Sequence, residues 1–166
     1  MDEPAFTSFY AGTARALRAY VAHAFGDFTH VDDIVQESYL RVLRMPAAPD
    51  DPQRLRPLLF RIASNLMTDE WRRRRRAAHA AETQAFEPIG SAPDIVLRLD
   101  MIRVFQHLSP QQRQMMWLAY VEGADHREIA AALGLREGSV RVLLHRARRK
   151  LASLLQLGDS PRTISG

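Results

Sequence analysis

The stretch that decides the fold is HREIAAALGLREGSVRVLLHRARRKL, His126–Leu151. Ile129, Ala130 and Leu133 recur at the spacing of one helical face. Gly134 follows as a helix stop, because a residue without Cβ tolerates positive φ. The spacing predicts a second helix from about Glu137, with Val140, Leu143, Leu144, Ala147 and Leu151 inward. Arg141, His145, Arg146, Arg148, Arg149 and Lys150 fall on its other faces. A basic run alone is usually a solvated face. Here small Ala130, Gly134 at the bend and the apolar pair Val140 and Leu143 also stand where two closely crossing helices need them. The joint pattern predicts a helix-turn-helix whose second helix suits a DNA major groove.

The totals agree with a nucleic-acid partner. The chain has 166 residues, room for one ordinary domain or two small ones. Its net charge is only +4, but the pI is about 10.1 because the basic residues are nearly all arginine. The planar guanidinium grips phosphate with paired N–H groups and stays charged. Arginines cluster at Arg72–Arg76 and Arg146–Arg149. There is no cysteine, which rules out disulfides and Cys-based zinc sites. His23, His30, His79, His107, His126 and His145 lack ligand spacing, so no metal site and no cofactor is expected. MDEPAFTSFY lacks the apolar run of a signal peptide, and no stretch nears the ~20 apolar residues of a membrane span. A cytoplasmic protein without membrane insertion is expected.

Upstream, residues 4–25 read as a helix with Phe6, Phe9, Tyr10, Leu17, Tyr20, Val21 and Ala24 near the helical period. VDDIVQESYLRVL, Val31–Leu43, reads as a second, with Ile34, Val35, Tyr39, Leu40 and Leu43 inward. The proline-rich MPAAPDDPQRLRP is expected to be a loop. A third helix is expected after Pro57, burying Leu58, Leu59, Ile62, Ala63, Leu66 and Met67 and ending in the Arg72–Arg76 run. That run exceeds what a helix C-terminus needs and favours phosphate contact. Residues 77–93 read as a linker. A helix over 94–107 follows, with Ile95, Leu99, Ile102, Val104 and Phe105 inward. Ser109–Pro110 opens the next helix as N-cap and first residue; that helix buries Met115, Met116, Leu118 and Ala119 with Trp117 beside them. Gly123 closes it, and residues 158–166 read as a disordered tail. The expected fold is all-α: two small helical domains, 1–76 and 94–157, joined by a flexible linker, the second a helix-turn-helix.

Several of these stretches resemble one family in order and spacing. DDIVQESYLRVLR resembles the helix with which bacterial sigma factors dock on RNA polymerase. LLFRIASNLMTDEWRRRRR resembles the adjoining promoter-melting helix, and LSPQQRQMMWLAYVEGADHREIAAALGLREGSVRVLLHRARRKL is similar to the C-terminal helix-turn-helix domain. Together they resemble the extracytoplasmic-function (ECF) class of the sigma-70 family over residues 9–155. The resemblance implies a sigma factor rather than an enzyme. Such a subunit binds core RNA polymerase through the β′ clamp and the β flap, selects promoter DNA and helps open it, with no small-molecule substrate. An anti-sigma factor is an implied partner.

Carried onto this chain, the resemblance places Asp32, Asp33, Gln36, Glu37 and Arg41 at the polymerase clamp. It places Asn65, Asp69, Arg72 and Arg73 on the helix facing the −10 element. Ser139, Arg141, Val142, His145, Arg146 and Arg149 would face the −35 element. Many family members carry a small polar residue and then an arginine after the position of Arg141; this chain has Val142 and Leu143. Val142 then either meets a thymine methyl or a DNA sugar, or packs at the rim.

Two other readings compete. A repressor or response regulator would share the helix-turn-helix, but the N-terminal half lacks the strand–helix alternation of a receiver domain. A metal-dependent nuclease would use Asp32, Asp33 and Glu37, yet two-metal sites usually draw carboxylates from several elements.

Overall fold

A computed structural model describes residues 1–80 and 103–158. Six α-helices lie among these residues: α1 (Glu3–Phe25), α2 (Val31–Arg44), α3 (Pro52–Ala80), α4 (Pro110–Tyr120), α5 (His126–Leu133) and α6 (Glu137–Gly158). A 3-10 turn over Phe28–His30 leads into α2, and a helical turn over 103–106 precedes α4. Among the described residues there is no strand. The expectations for residues 81–102, including most of the linker and Ile95, Leu99 and Ile102, lie outside the described residues, as does the tail from 159.

The helix ends follow from local chemistry. Asp2 accepts the Ala5 N–H at 2.9 Å and caps α1. Gly26, at φ 77°, closes that helix with its N–H on the Ala22 carbonyl. At α4, Ser109 Oγ accepts the Gln112 N–H, Gln112 Oε1 accepts the Ser109 N–H, and Pro110 takes the first position, as its missing N–H allows.

The proline-rich loop is shorter than expected, because α3 starts at Pro52 and runs through Pro57. Asp51 makes this start: its Oδ1 accepts the Gln53 N–H and its carbonyl accepts the Leu55 N–H. Pro57 deprives the Gln53 carbonyl of its helical partner, but both residues are exposed and water can take that place. The extra turns bury Leu55 completely; further along, Phe60 also joins the core, while Leu58 and Leu66, expected inside, are half-buried. On α2 the inward stripe is Val31, Ile34, Val35, Ser38, Tyr39 and Val42. Leu43, expected inward, is 46% exposed, because at 100° per residue it lies past Tyr39, which forms that edge of the stripe.

Helices α1, α2 and α3 pack into one bundle, and α4, α5 and α6 into another. Two hydroxyl pairs fix the register of the first: Thr13 with Tyr39 and Tyr20 with Ser64, each at 2.7 Å. Burial pushes the Tyr20 phenol pKa up, and its bond to Ser64 partly offsets this. The two bundles also meet each other. α4 lies on α1, α5 lies on α3, and the buried residues form a single cluster from Phe9 to Ala147.

Candidate nucleic-acid interface

Asp125 accepts the Glu128 N–H at 2.8 Å, and Glu128 accepts the Asp125 N–H at 2.9 Å, which fixes the start of α5. Gly134, at φ 65°, ends it, and the Leu135 N–H returns to the Ala130 carbonyl. The turn sets α6 across α5. Val140, Leu144 and Ala147 are buried there, with Leu143 and Leu151 at the margin. On α5 the buried residues are Ile129, Ala130 and Ala132, and Leu133 is half-buried.

All six residues expected to face DNA from α6 are exposed: Ser139, Arg141, Val142, His145, Arg146 and Arg149. They do not share one face. At 100° per residue, Arg141 and His145 lie on one flank, Val142 and Arg149 on the crest, and Ser139 and Arg146 on the far flank. Val142, half exposed, is not a core residue, so both outward readings of it stand.

The first flank is extended by residues that periodicity alone did not select. An open cleft of about 710 Å³ lies between α4, α5 and α6, lined by His126, Arg127, Arg141 and Arg148 together with Tyr120 and Glu137. Arg148 donates to the Tyr120 hydroxyl at 2.8 Å, which holds its guanidinium at the cleft. Arg127 sits in the first turn of α5, where the helix dipole already favours an anion. The available signal was position: a basic residue in the first turn of the helix before a recognition helix.

In the first bundle, Asn65, Asp69, Arg72 and Arg73 are all exposed and form one ridge over two turns of α3. Arg73 is bound by Glu70 through two bonds of 2.6 and 2.9 Å. The arginine run is not uniform. Arg74 turns inward, with 21% of its side chain exposed, and donates to Asp27 at 2.7 Å and to Glu70 at 3.2 Å. It also lies over the Phe25 ring at 4.8 Å. It is therefore a structural residue within a run expected to meet phosphate. Burial alone would raise the Asp27 pKa, but the Thr29 N–H and the Arg74 guanidinium outweigh it and hold the carboxyl at about 2. The Arg73 guanidinium, followed by that of Arg74, lowers the Glu70 pKa as well.

The outward face of α2 carries Asp32, Asp33, Gln36 and Arg41 exposed, with Glu37 half-buried. Arg18 reaches Asp32 from α1, and Arg41 donates to Glu37 at 2.9 Å. Among the described residues no three His, Asp or Glu side chains are grouped to hold a metal ion, and no helix is long and apolar enough to cross a membrane.

Comparison with known proteins agrees with this arrangement. The family described as Sigma-70 region 2 matches residues 9–77, and Sigma-70, region 4 matches residues 98–151. The chain is 30% identical over 157 residues to the RNA polymerase sigma factor CarQ of Myxococcus xanthus, covering 92% of this chain and 90% of CarQ. It is 34% identical over 155 residues to the ECF RNA polymerase sigma factor SigL of Mycobacterium tuberculosis, covering 90% of this chain and 88% of SigL. Among solved structures it resembles CnrH in complex with the cytosolic domain of CnrY. That match has a TM-score of 0.64 and 31% identity and covers 96% of this chain and 92% of the other. With both regions in the expected order on an all-helical frame, the chain belongs to the ECF class of the sigma-70 family.

Proposed function

We propose that this protein binds core RNA polymerase, directs it to specific promoters and helps open the duplex. The observation that carries this reading is the exposed cationic flank of α6, continued by Arg127 and Arg148 around an open cleft. In this reading Arg141 and His145 contact −35 base edges, with Val142 beside them. Ser139, Arg146 and Arg149 hold flanking phosphates, joined by Arg127 and Arg148. Asn65, Asp69, Arg72 and Arg73 meet the −10 element, while Arg74 keeps the end of α3 in place. Asp32, Asp33, Gln36, Glu37 and Arg41 meet the β′ clamp, and the second bundle meets the β flap. The domains are 1–76 and 94–157, with 77–93 between them. The site of action is the cytoplasm, where polymerase works. CnrH was solved with the cytosolic domain of CnrY, which supports an inhibitory protein partner here as well. Sigma factors are not enzymes; polymerase supplies the chemistry.

Run-off transcription with core polymerase on genomic fragments tests the reading. Discrete transcripts that depend on this protein are expected. Transcription that is the same with and without it would overturn the proposal, as would tight operator-like binding by the free protein that blocks transcription.

A further inference from the structure

Val142 stands at the outermost point of α6. At 100° per residue it lies about 160° from Val140 and from Leu144 and about 180° from Leu151, so it faces directly away from the buried stripe. It is 50% exposed, and among the described residues of α6 only Leu155, near the far end, is another large apolar residue so open to water. Polar groups surround it: Ser139 and Arg146 on one flank, Arg141 and His145 on the other, all exposed. One turn earlier on the same crest is Gly138, and nothing lies within 4 Å of where a Cβ would stand there. No side chain at that point holds α6 off a surface that Val142 approaches. Arg149 shares the crest but stands about 10 Å further along the axis, where a helix inserted by its N-terminal end has left the groove.

A β-branched residue helps a helix little unless it packs, and Val142 packs on nothing in the core. In a major groove it does what its polar neighbours do not. Guanine, adenine and cytosine present donors and acceptors on their major-groove edges, and thymine alone adds an apolar group, its C5-methyl. Valine has nothing to donate or accept. Against the other three edges it strips water from polar atoms and gives no bond in exchange. Sugars and phosphates line the groove walls, which the flanks of an inserted helix meet; its crest meets the floor, where the base edges are. We propose that Val142 is a specificity-determining residue that reads the C5-methyl of a thymine in the −35 element. The inference rests on the proposed function for the element it names, and deepens it by naming the base.

The test starts from a pool of random DNA duplexes, from which the full chain selects its preferred sequence with core polymerase and again without it. Each thymine of the selected sequence is then replaced in turn by deoxyuridine, which keeps every hydrogen-bonding group and removes only the methyl. One replacement should weaken binding of the unsubstituted chain about fourfold, the worth of one buried methyl, and should leave Val142→Ser unaffected. Cytosine at that position should be improved by 5-methylation, again only for the unsubstituted chain. Val142→Ile should keep the preference. Because the position is exposed, both variants should keep the urea midpoint of the unsubstituted chain. Effects of uracil that are the same in Val142→Ser as in the unsubstituted chain would overturn the proposal, and so would their absence at every thymine. A loss in Val142→Ser that is equal on all sequences would place Val142 on a sugar and overturn it too, as would a pool in which neither condition enriches any sequence. A methyl-dependent thymine selected by a chain that drives no run-off transcription would count against the proposed function and leave the reading by Val142 standing.

Discussion

On the outward face of α2, cations and carboxylates meet within the protein: Arg18 with Asp32, and Arg41 with Glu37. On α6, Arg141, Arg146 and Arg149 have no acidic partner among the described residues, and Arg148 is held by a neutral hydroxyl. Both helices have a buried stripe and a charged exterior, so periodicity treats them alike. Pairing separates them. A face most of whose charges are matched, with Asp33 left over, costs little to leave in water, and it selects a protein partner by complementarity. Unmatched guanidiniums suit a polyanion, which supplies the missing charge and releases its counterions.

The contrast can be tested at several depths. The largest effect is expected in the small second core, where Ile129 is fully buried. Ile129→Ala should cost about 3–4 kcal/mol in urea unfolding and free α6 from α5; a loss below about 1 kcal/mol would mean that the second bundle does not depend on this residue. Next comes Asp27, the counter-ion of Arg74. Its carboxyl is held near 2 against an ordinary 3.8, so its contribution is complete above about pH 4 and is lost as pH falls towards 2. Asp27→Asn should lower stability by about 2–3 kcal/mol at neutral pH and flatten the acid limb of the unfolding profile; an unaltered limb would remove Asp27 from that role. Arg141→Ala should cost about 1–3 kcal/mol in −35 recognition and relax sequence preference there, measured with core polymerase on mutated promoters. A uniform loss on every sequence would reassign Arg141 to phosphate. The smallest effect on stability is expected for Glu37→Lys, within about 0.5 kcal/mol, because the pair it breaks is an exposed one along a single helix. It should nevertheless weaken co-purification with core polymerase; normal recovery would show that the α2 face is merely solvated.

Much of this was legible in the chain itself. Caps and stops have local causes, and the starts of α2 and α4, the bend at Gly134 and the inward stripe of α6 follow from residues a few positions apart. The start of α3 also had a local signal, Asp51 followed by Pro52, but the surrounding prolines argued for a loop. Leu43 illustrates the limit of hydrophobicity: being apolar does not put a residue inside when the helix turns it past the stripe. Arg74 illustrates another, because five arginines in a row look alike until one of them meets Asp27 and Phe25, distant in sequence. The packing of α4 on α1 and of α5 on α3 was the least legible feature. Amphipathic faces show that a helix packs, but not against what, and Gln114 buried at 2% exposure has no apolar signature. The cleft residue Arg127 was missed for a similar reason: its neighbours in space come from another helix.

The two hydroxyl pairs inside the first bundle have a consequence for how that bundle can vary. Thr13 also donates to the Phe9 carbonyl and Ser64 to the Phe60 carbonyl, so each small hydroxyl keeps a backbone anchor if its tyrosine partner is removed. Tyr39 has no such fallback, whereas Tyr20 also bonds the Gln114 side chain. Replacing Thr13 with an apolar residue strands the Tyr39 phenol in the interior, whereas trimming Tyr39 to phenylalanine leaves Thr13 on its backbone anchor. Evolutionary drift away from the Thr13–Tyr39 pin therefore has a preferred order, with the aromatic partner changing first.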